Sequence, residues 1–371
     1  MSNEDLNILY SDAVNLLKKL IAIPSFSKEE DKSANAIEQF LQSKNVATER
    51  FLNNIWAKNK YFDESKPTIL LNSHHDTVKP NKGYTLDPFS PIVQKDSYAH
   101  KGSFGGEKEN KLFGLGSNDA GGALVSLIAT FLYFYEKENL KYNLILAASA
   151  EEEISGKNGV ELLLSHLGKI DCGIVGEPTQ MQMAIAERGL LVLDCVSEGK
   201  AGHAAREEGE NAIYKAMKDI EWFQSYQFPK TSELLGPVKM NVTVIETDNN
   251  THNLVPSQCS FVADIRVNEL YTFDEVLHTI KENVKCKIQP RSTRLRPSFI
   301  SLDHPIVKAG LSLNKTYYGS PTTSDKSLMS FPALKMGPGN SVRSHIADEF
   351  IYLDEIKAGI EIYIKLLQQI L

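Results

Sequence analysis

Leu144-Ile145-Leu146-Ala147-Ala148-Ser149-Ala150-Glu151-Glu152-Glu153 is an apolar run that ends in three carboxylates. A short run of this kind, rich in branched residues, reads as a strand buried on both faces of a parallel sheet. In an open α/β sheet, ligands gather beyond the carboxyl ends of the strands. Adjacent glutamates there repel one another unless something positive sits among them, and buried carboxylates commonly coordinate metal ions. On these ten letters alone, a helix N-terminus accounts for the glutamates equally well, because the macrodipole favours acidic residues there.

Working outward, the same texture recurs. Thr68 to Asn72 reads as a strand and runs into Ser73-His74-His75-Asp76-Thr77-Val78. Cys172 to Val175 reads as a strand and ends in Gly176-Glu177-Pro178-Thr179. Helical spacing of apolar residues marks Asp12 to Ile23, Asp31 to Gln42, the segment after Gly121-Gly122 and about Gly159 to Leu167. Val46 to Ala57 reads as one more strand, and Lys79 to Asn118, rich in Pro, Gly and Lys, as mostly loop. Alternating strands and helices imply a mostly parallel sheet with helices on both faces. The texture changes near Gln182. Alternating strands at Leu190–Val196, Lys239–Thr247 and Cys259–Asn268, with helices at Glu210–Gln224 and Phe273–Val284, make an α+β insertion. Residues 1–181 and 295–371 are thus expected to form an α/β catalytic domain, and 182–294 an inserted second domain.

Composition narrows the class. The chain has 371 residues, 42% hydrophobic and 23% charged, which suits a globular protein with a substantial core. A formal net charge of -7 argues against a nucleic-acid surface. Cys172, Cys195, Cys259 and Cys286 are far apart and show no CxxC spacing, which disfavours a cysteine zinc site and a disulfide scaffold. No basic leader, no signal-type apolar segment and no membrane-length apolar window is present, so a cytoplasmic, membrane-free protein is expected.

The polar residues at the strand ends are His74, Asp76, Asp119, Glu151 to Glu153 and Glu177, to which His345 is added. Two imidazoles with several carboxylates suit zinc, cobalt or manganese. His74 and Asp76 are two apart, so in extended chain they share one side, and Asp76 can fix the imidazole.

At these residues a resemblance emerges. Ser73-His74-His75-Asp76-Thr77-Val78, Gly114-Leu115-Gly116-Ser117-Asn118-Asp119, Glu151-Glu152-Glu153, Val175-Gly176-Glu177-Pro178-Thr179 and Ser344-His345 resemble, in order, motifs of one zinc-dependent family. That family includes acetylornithine deacetylase, succinyl-diaminopimelate desuccinylase, carboxypeptidase G and aminoacylase. The resemblance implies two divalent ions, zinc with cobalt able to substitute. It makes Asp119 the bridge, His74 and Glu177 the ligands of one ion, Glu153 and His345 those of the other, Glu152 the general base, and the peptide after Asp119 cis. Gly199-Lys200-Ala201-Gly202-His203-Ala204-Ala205 resembles the family's lid motif. It implies a homodimer through the inserted domain, with His203 stabilising the oxyanion in the partner's site. Asn253 and Arg266 resemble residues that bind the substrate carboxylate. Some positions depart from the pattern: Glu151 for a usual Asp, Leu115 for a frequent Arg, Ala120-Gly121-Gly122 after the bridge, and Glu207 for a common Pro.

The C-terminal motifs look closest to acetylornithine deacetylases, which implies N-acetyl- or N-succinyl-ornithine as substrate, in arginine biosynthesis. Arg343 and Lys326 are candidates to meet an acyl-group carboxylate. Succinyl-diaminopimelate desuccinylase is the runner-up, and a dipeptidase or aminopeptidase the third. A non-catalytic relative would be expected to lack a ligand or the base, whereas every such position is filled here.

Overall fold

The structure is a computed structural model that describes residues 2–95, 110–206 and 208–371. The departure noted at Glu207 lies outside the described residues, as does part of the Lys79–Asn118 loop. The chain divides into two units. One comprises Met1–Ile185, Ile300–Tyr318 and Ser324–Leu371; the other comprises Ala186–Phe299 and Gly319–Thr323. The change of chain therefore falls at Ala186 and Phe299, where 182 and 294 are expected from sequence texture.

In the first unit α1 (Asn3–Ile21) starts earlier than apolar spacing predicts, because Ser2 and Asp5 form a capping box that satisfies the first turn. Next come α2 (Asp31–Ser43), β1 (Glu49–Phe51) and β2 (Asn54–Lys58). The expected single strand at 46–57 is a hairpin, because Leu52 turns left-handed at φ 54° between Phe51 and Asn54. β3 (Thr68–His74) is followed by β4 (Ile92–Lys95) and β5 (Asn110–Phe113), an antiparallel pair inside the predicted loop. Next are α3 (Gly122–Tyr135), β6 (Asn143–Ser149), α4 (Val160–Leu164), β7 (Cys172–Val175) and β8 (Met183–Glu187).

The second unit holds β9 (Gly189–Glu198), β10 (Gly202–His203), α5 (Ala212–Ser225), β11 (Lys239–Thr247), β12 (Leu254–Val255), β13 (Gln258–Val267), α6 (Phe273–Asn283), β14 (Lys287–Pro290) and β15 (Ser298–Phe299). Its antiparallel sheet runs β11-β13-β9-β14. Strands β9 and β13 alternate buried and half-exposed residues, so one face packs on α5 and α6 through Leu193, Phe261, Phe223 and Ile280. The chain then continues with α7 (Pro305–Ser312), β16 (Tyr317–Ser320), β17 (Ala333–Lys335), β18 (Phe350–Tyr352) and α8 (Leu353–Gln368).

The sheet of the first unit runs β1-β2-β6-β3-β7-β17-β8. Strands β6, β3, β7 and β17 are parallel, while β2 and β8 flank them antiparallel. Every residue of β3, β6 and β7 is buried, which is why these runs are apolar without alternation. Helix α3 packs on β3 and β6 beside α1 and α8. On the opposite face, Leu70, Ile145 and Ala147 pack with Val160 and Leu163 of α4. This is the mixed α/β, mostly parallel architecture expected from the sequence. Among the described residues, no helix is long and apolar enough to cross a membrane.

Candidate metal centre

The central strands are in register at their carboxyl ends: His74 stands opposite Ser149, and Asn72 opposite Val175. The residues just past these positions therefore meet at one edge of the sheet. His74 closes β3, Glu152 and Glu153 follow β6, and Glu177 follows β7. Asp119 sits in the turn before α3, where the Asp119–Ala120 peptide is cis. His345 lies in the loop before β18.

These six side chains converge. Nε2 of His74 is 3.4 Å from Oδ1 of Asp119, 3.9 Å from Glu177 and 4.0 Å from Glu152. Nε2 of His345 is 3.0 Å from Glu153 and 3.6 Å from Oδ2 of Asp119. Asp119 thus turns one oxygen toward each imidazole. Among the described residues, two groups have their ligand atoms within 4.8 Å of one another: His74, Asp119 and Glu153, and His74, Glu152 and Glu177. Glu152 stands as close to His74 as a ligand would, so distance alone does not separate base from ligand.

The donor set fits divalent metal. Nδ1–H of His74 donates to the main-chain oxygen of Asp76 at 2.9 Å, which fixes the tautomer and leaves the lone pair of Nε2 facing the carboxylates. That Nε2 is buried and makes no hydrogen bond. Among side chains alone the charges are badly matched. Burial holds the carboxyl of Glu152 well above the usual range, and Glu177, Asp325 and Glu153 push it the same way against the attraction of His74. Burial disfavours the charged form of His74, yet its contacts with Asp119 and Asp76 and the field of Glu152 and Glu177 carry its pKa well up. Glu153 raises His345 to about 9 against the effect of burial. Cations among these oxygens answer both the repulsion and the bare imidazole nitrogen.

Asp76 meets the imidazole of His74 through both its carboxylate and its main chain. Its carboxylate lies 3.5 Å from Nδ1 of His74 and helps to raise that imidazole's pKa, and its main-chain oxygen accepts the Nδ1–H at 2.9 Å. The carboxylate accepts the N–H groups of Glu152 and Glu153 at 3.0 and 3.2 Å and the hydroxyl of Ser27 at 2.7 Å. Asp76 therefore shapes the glutamate turn. His75 is no ligand: it is buried between Ser33 and the main-chain oxygen of Asn53.

The roles expected of Arg343 and Lys326 need correction. Arg343 is buried and donates through Nη2 to both oxygens of the fully buried Glu355, at 2.9 and 2.8 Å. Lys326 is 1% exposed and donates to the main-chain oxygen of Ala184. Neither is placed to meet a substrate. In the second unit His203 is exposed on β10, and the N–H of Ala204 donates to the main-chain oxygen of Asn253. Arg266 makes a two-point pair with Asp264 two residues away.

Sequence reading missed several supports. Asp325 is buried, accepts from Asn72 and Ser149 at 2.8 and 2.7 Å, and burial raises it to about 6. Glu30 accepts the N–H of Glu151. Asn118 exchanges hydrogen bonds with the main chain of Asn340. Asp325 opens a short 3-10 helix and Glu30 precedes α2, both far in sequence from the ligand motifs, and only Asn118 lies beside one.

The sequence profile of Peptidase family M20/M25/M40 matches residues 70–369. The chain belongs to this family. A succinyl-diaminopimelate desuccinylase from Wolbachia pipientis subsp. Culex pipiens is 27% identical over 289 residues, 73% of this chain and 68% of that protein. One from Orientia tsutsugamushi (strain Ikeda) is 24% identical over 383 residues, 94% of each chain. Among solved structures, the aminopeptidase PepT of Bacillus cereus has a TM-score of 0.74 at 16% identity, covering 97% of this chain and 98% of its own. A protein of Bacillus subtilis described as a dinuclear metal-binding peptidase of the M20 family has a TM-score of 0.72 at 13% identity, with 97% and 98% covered. The structural likenesses speak for the fold of this M20 member.

Proposed function

We propose that this chain is a two-metal amidohydrolase that frees an amino acid from its N-acyl form. The observation that carries the reading is Asp119, with one carboxylate oxygen toward each of two imidazoles. Asp119 would bridge two divalent ions, His74 and Glu177 holding one and Glu153 and His345 the other. Zinc suits this donor set, and cobalt can substitute. Ions held there supply Lewis-acid polarisation of the amide carbonyl and a lowered pKa for water. Glu152 accepts the proton of the attacking water on its carboxylate and passes it to the leaving amine nitrogen, so the two half-steps balance. Asp76 holds the N–H groups on either side of that carboxylate's turn and so keeps Glu152 aimed.

For the substrate, the relatives named above reverse the order of the first two readings. N-succinyl-diaminopimelate comes first, and N-acetyl- or N-succinyl-ornithine second. With Arg343 and Lys326 committed elsewhere, Lys79 is the cation for a succinyl carboxylate. It lines a hollow of about 240 Å³ with His345, walled by Val78, Pro80, Leu115 and Ile346. An aliphatic arm with a charged end suits such a wall. Asn253 and Arg266 remain candidates for the amino-acid carboxylate.

The second unit is proposed to carry a homodimer contact. Its edge strand β11 exposes Val244 and Ile245, and α5 exposes Tyr214 and Met217. In that dimer His203 would serve the partner's oxyanion. Mixing Glu152→Ala chains with His203→Ala chains restores activity if so; verified mixed dimers without activity would remove the role.

The deciding experiment pairs a metal count with amine release from N-succinyl-diaminopimelate, N-succinyl-ornithine and N-acetyl-ornithine, with zinc or cobalt added. About two ions per chain and fastest release from the first substrate are expected. Less than about one ion after loading would sink the two-metal reading. Silence on all three substrates, with dipeptides cleaved, would move the substrate to peptides.

A further inference from the structure

We propose that Glu349 is a positioning residue for the metal centre, its carboxylate holding the turn that aims Asp119 at both imidazoles. The inference rests on the two-metal reading above.

Glu349 is 2% exposed. Its Oε1 accepts the N–H groups of Asn118 and Asp119 at 2.8 and 2.9 Å, and its Oε2 accepts that of Gly116 at 3.0 Å. Three N–H groups of one turn thus converge on one carboxylate, a concave backbone site for an anion. Gly116 makes the convergence possible. It sits at φ +75°, and an added Cβ would lie 2.6 Å from the Thr77 methyl.

Glu349 itself is held from both sides. Its main-chain oxygen accepts the N–H of Gly114 at 3.0 Å, and the next residue opens β18, where Phe350 pairs with Phe113 of β5. The ladder therefore sets the distance between Glu349 and the Asp119 turn. His345 lies four residues before Glu349 on the same segment. One segment thus supplies an imidazole and the clamp on the bridging carboxylate, so the two loops are tied together at the site.

A carboxylate suits this place better than a carboxamide. Glutamine keeps one acceptor oxygen, and its NH2 group would face one or two of the N–H groups. Aspartate keeps the charge but draws it back by one methylene.

The test compares wild type, Glu349→Gln and Glu349→Asp. Each is stripped with chelator, titrated calorimetrically with Zn2+, and assayed for kcat and KM on whichever substrate wild type turns over. Circular dichroism checks that the fold is kept. Both variants should keep the fold and lose about 10- to 100-fold in affinity for at least one ion, as loss of a group behind a metal ligand typically does. The loss of rate should fall on kcat, with KM little changed. If Glu349→Gln does not fold, Glu349→Asp gives the same readout. Two equivalents bound with wild-type affinity by a folded variant overturns the proposal alone. A wild type that takes up no metal overturns it together with the functional reading.

Discussion

Replacing Arg343 by Met tests whether this arginine serves the fold or the substrate. Its guanidinium shares two hydrogen bonds with Glu355 and lies 5.1 and 5.4 Å from the rings of Phe350 and Tyr352. Side-chain exposure is 9% for Arg343 and 0% for Glu355, so solvent screens this pair little. Removing one partner of such a pair leaves a buried, uncompensated charge, at a cost of about 3–5 kcal/mol. That is a large share of a typical total stability of about 5–15 kcal/mol. Glu355 also accepts the N–H of Tyr352 at the start of α8, so the damage centres on the helix that closes the first unit.

The assay is urea unfolding followed by Trp fluorescence in a Trp222→Phe background. The chain has two tryptophans, and Trp56 then reports the first unit by itself. Arg343→Met should lower the midpoint strongly, and Arg343→Met with Glu355→Leu should recover most of the loss, because removing both charges is often neutral. Where the single variant stays folded, KM should hold. Wild-type stability with a KM raised about tenfold, equivalent to about 1.4 kcal/mol of binding, would refute this reasoning and return Arg343 to the substrate.

Glu152→Gln should keep about two ions per chain while kcat falls by about 10²–10⁴, the usual reach of a general base; loss of an ion instead would make Glu152 a ligand. Lys79→Met should raise KM for a succinylated substrate and leave an acetylated one unchanged; equal effects on both would remove Lys79 from acyl recognition. Burial pushes His75 from 6.5 down to about 4, so the unfolded chain takes up a proton across that window and the folded chain does not. The His75 contribution to stability should therefore fall as pH drops from about 6.5 to 4, by about 3 kcal/mol at 1.36 kcal/mol per unit, and His75→Gln should lose that part of the dependence. An NMR titration of His75 near 6.5 would contradict it.

The strands that carry the candidate ligands were legible because burial on both faces leaves an unbroken apolar run, and the first polar letter after it marks the sheet's edge. His74, Glu152, Glu153 and Glu177 stand out in this way, and the structure brings their side chains together. The antiparallel pair β4–β5 was not legible, since Ile92-Val93-Gln94-Lys95 is short and mostly exposed, and β5 finds its other partner in β18, far along the chain. Charge misled at Arg343 and Lys326. A cation in a polar stretch reads as solvated or functional until a remote segment is seen to cover it, as α8 covers Arg343 through Glu355. One part played by Asp76 left no letter: its main-chain oxygen also accepts from the imidazole.

The turns around the candidate site break the local rules that the strands obey. Glu151, His345 and Asp348 all lie left-handed, at φ 55°, 61° and 52°. For a residue with a Cβ this costs about 1–2 kcal/mol each. Compensation comes from polar contacts with distant segments. Glu30 accepts the N–H of Glu151, Asn81 donates to the main-chain oxygen of His345, and the carboxylate of Asp348 accepts from Thr85 and Leu86. Glycine at 151 would take the same φ without strain. It would also drop both carboxylate bonds to Asn158, at 3.0 and 3.3 Å, that fold the glutamate turn back on itself. The strained residue is therefore retained for contacts that the unstrained one has no side chain to make.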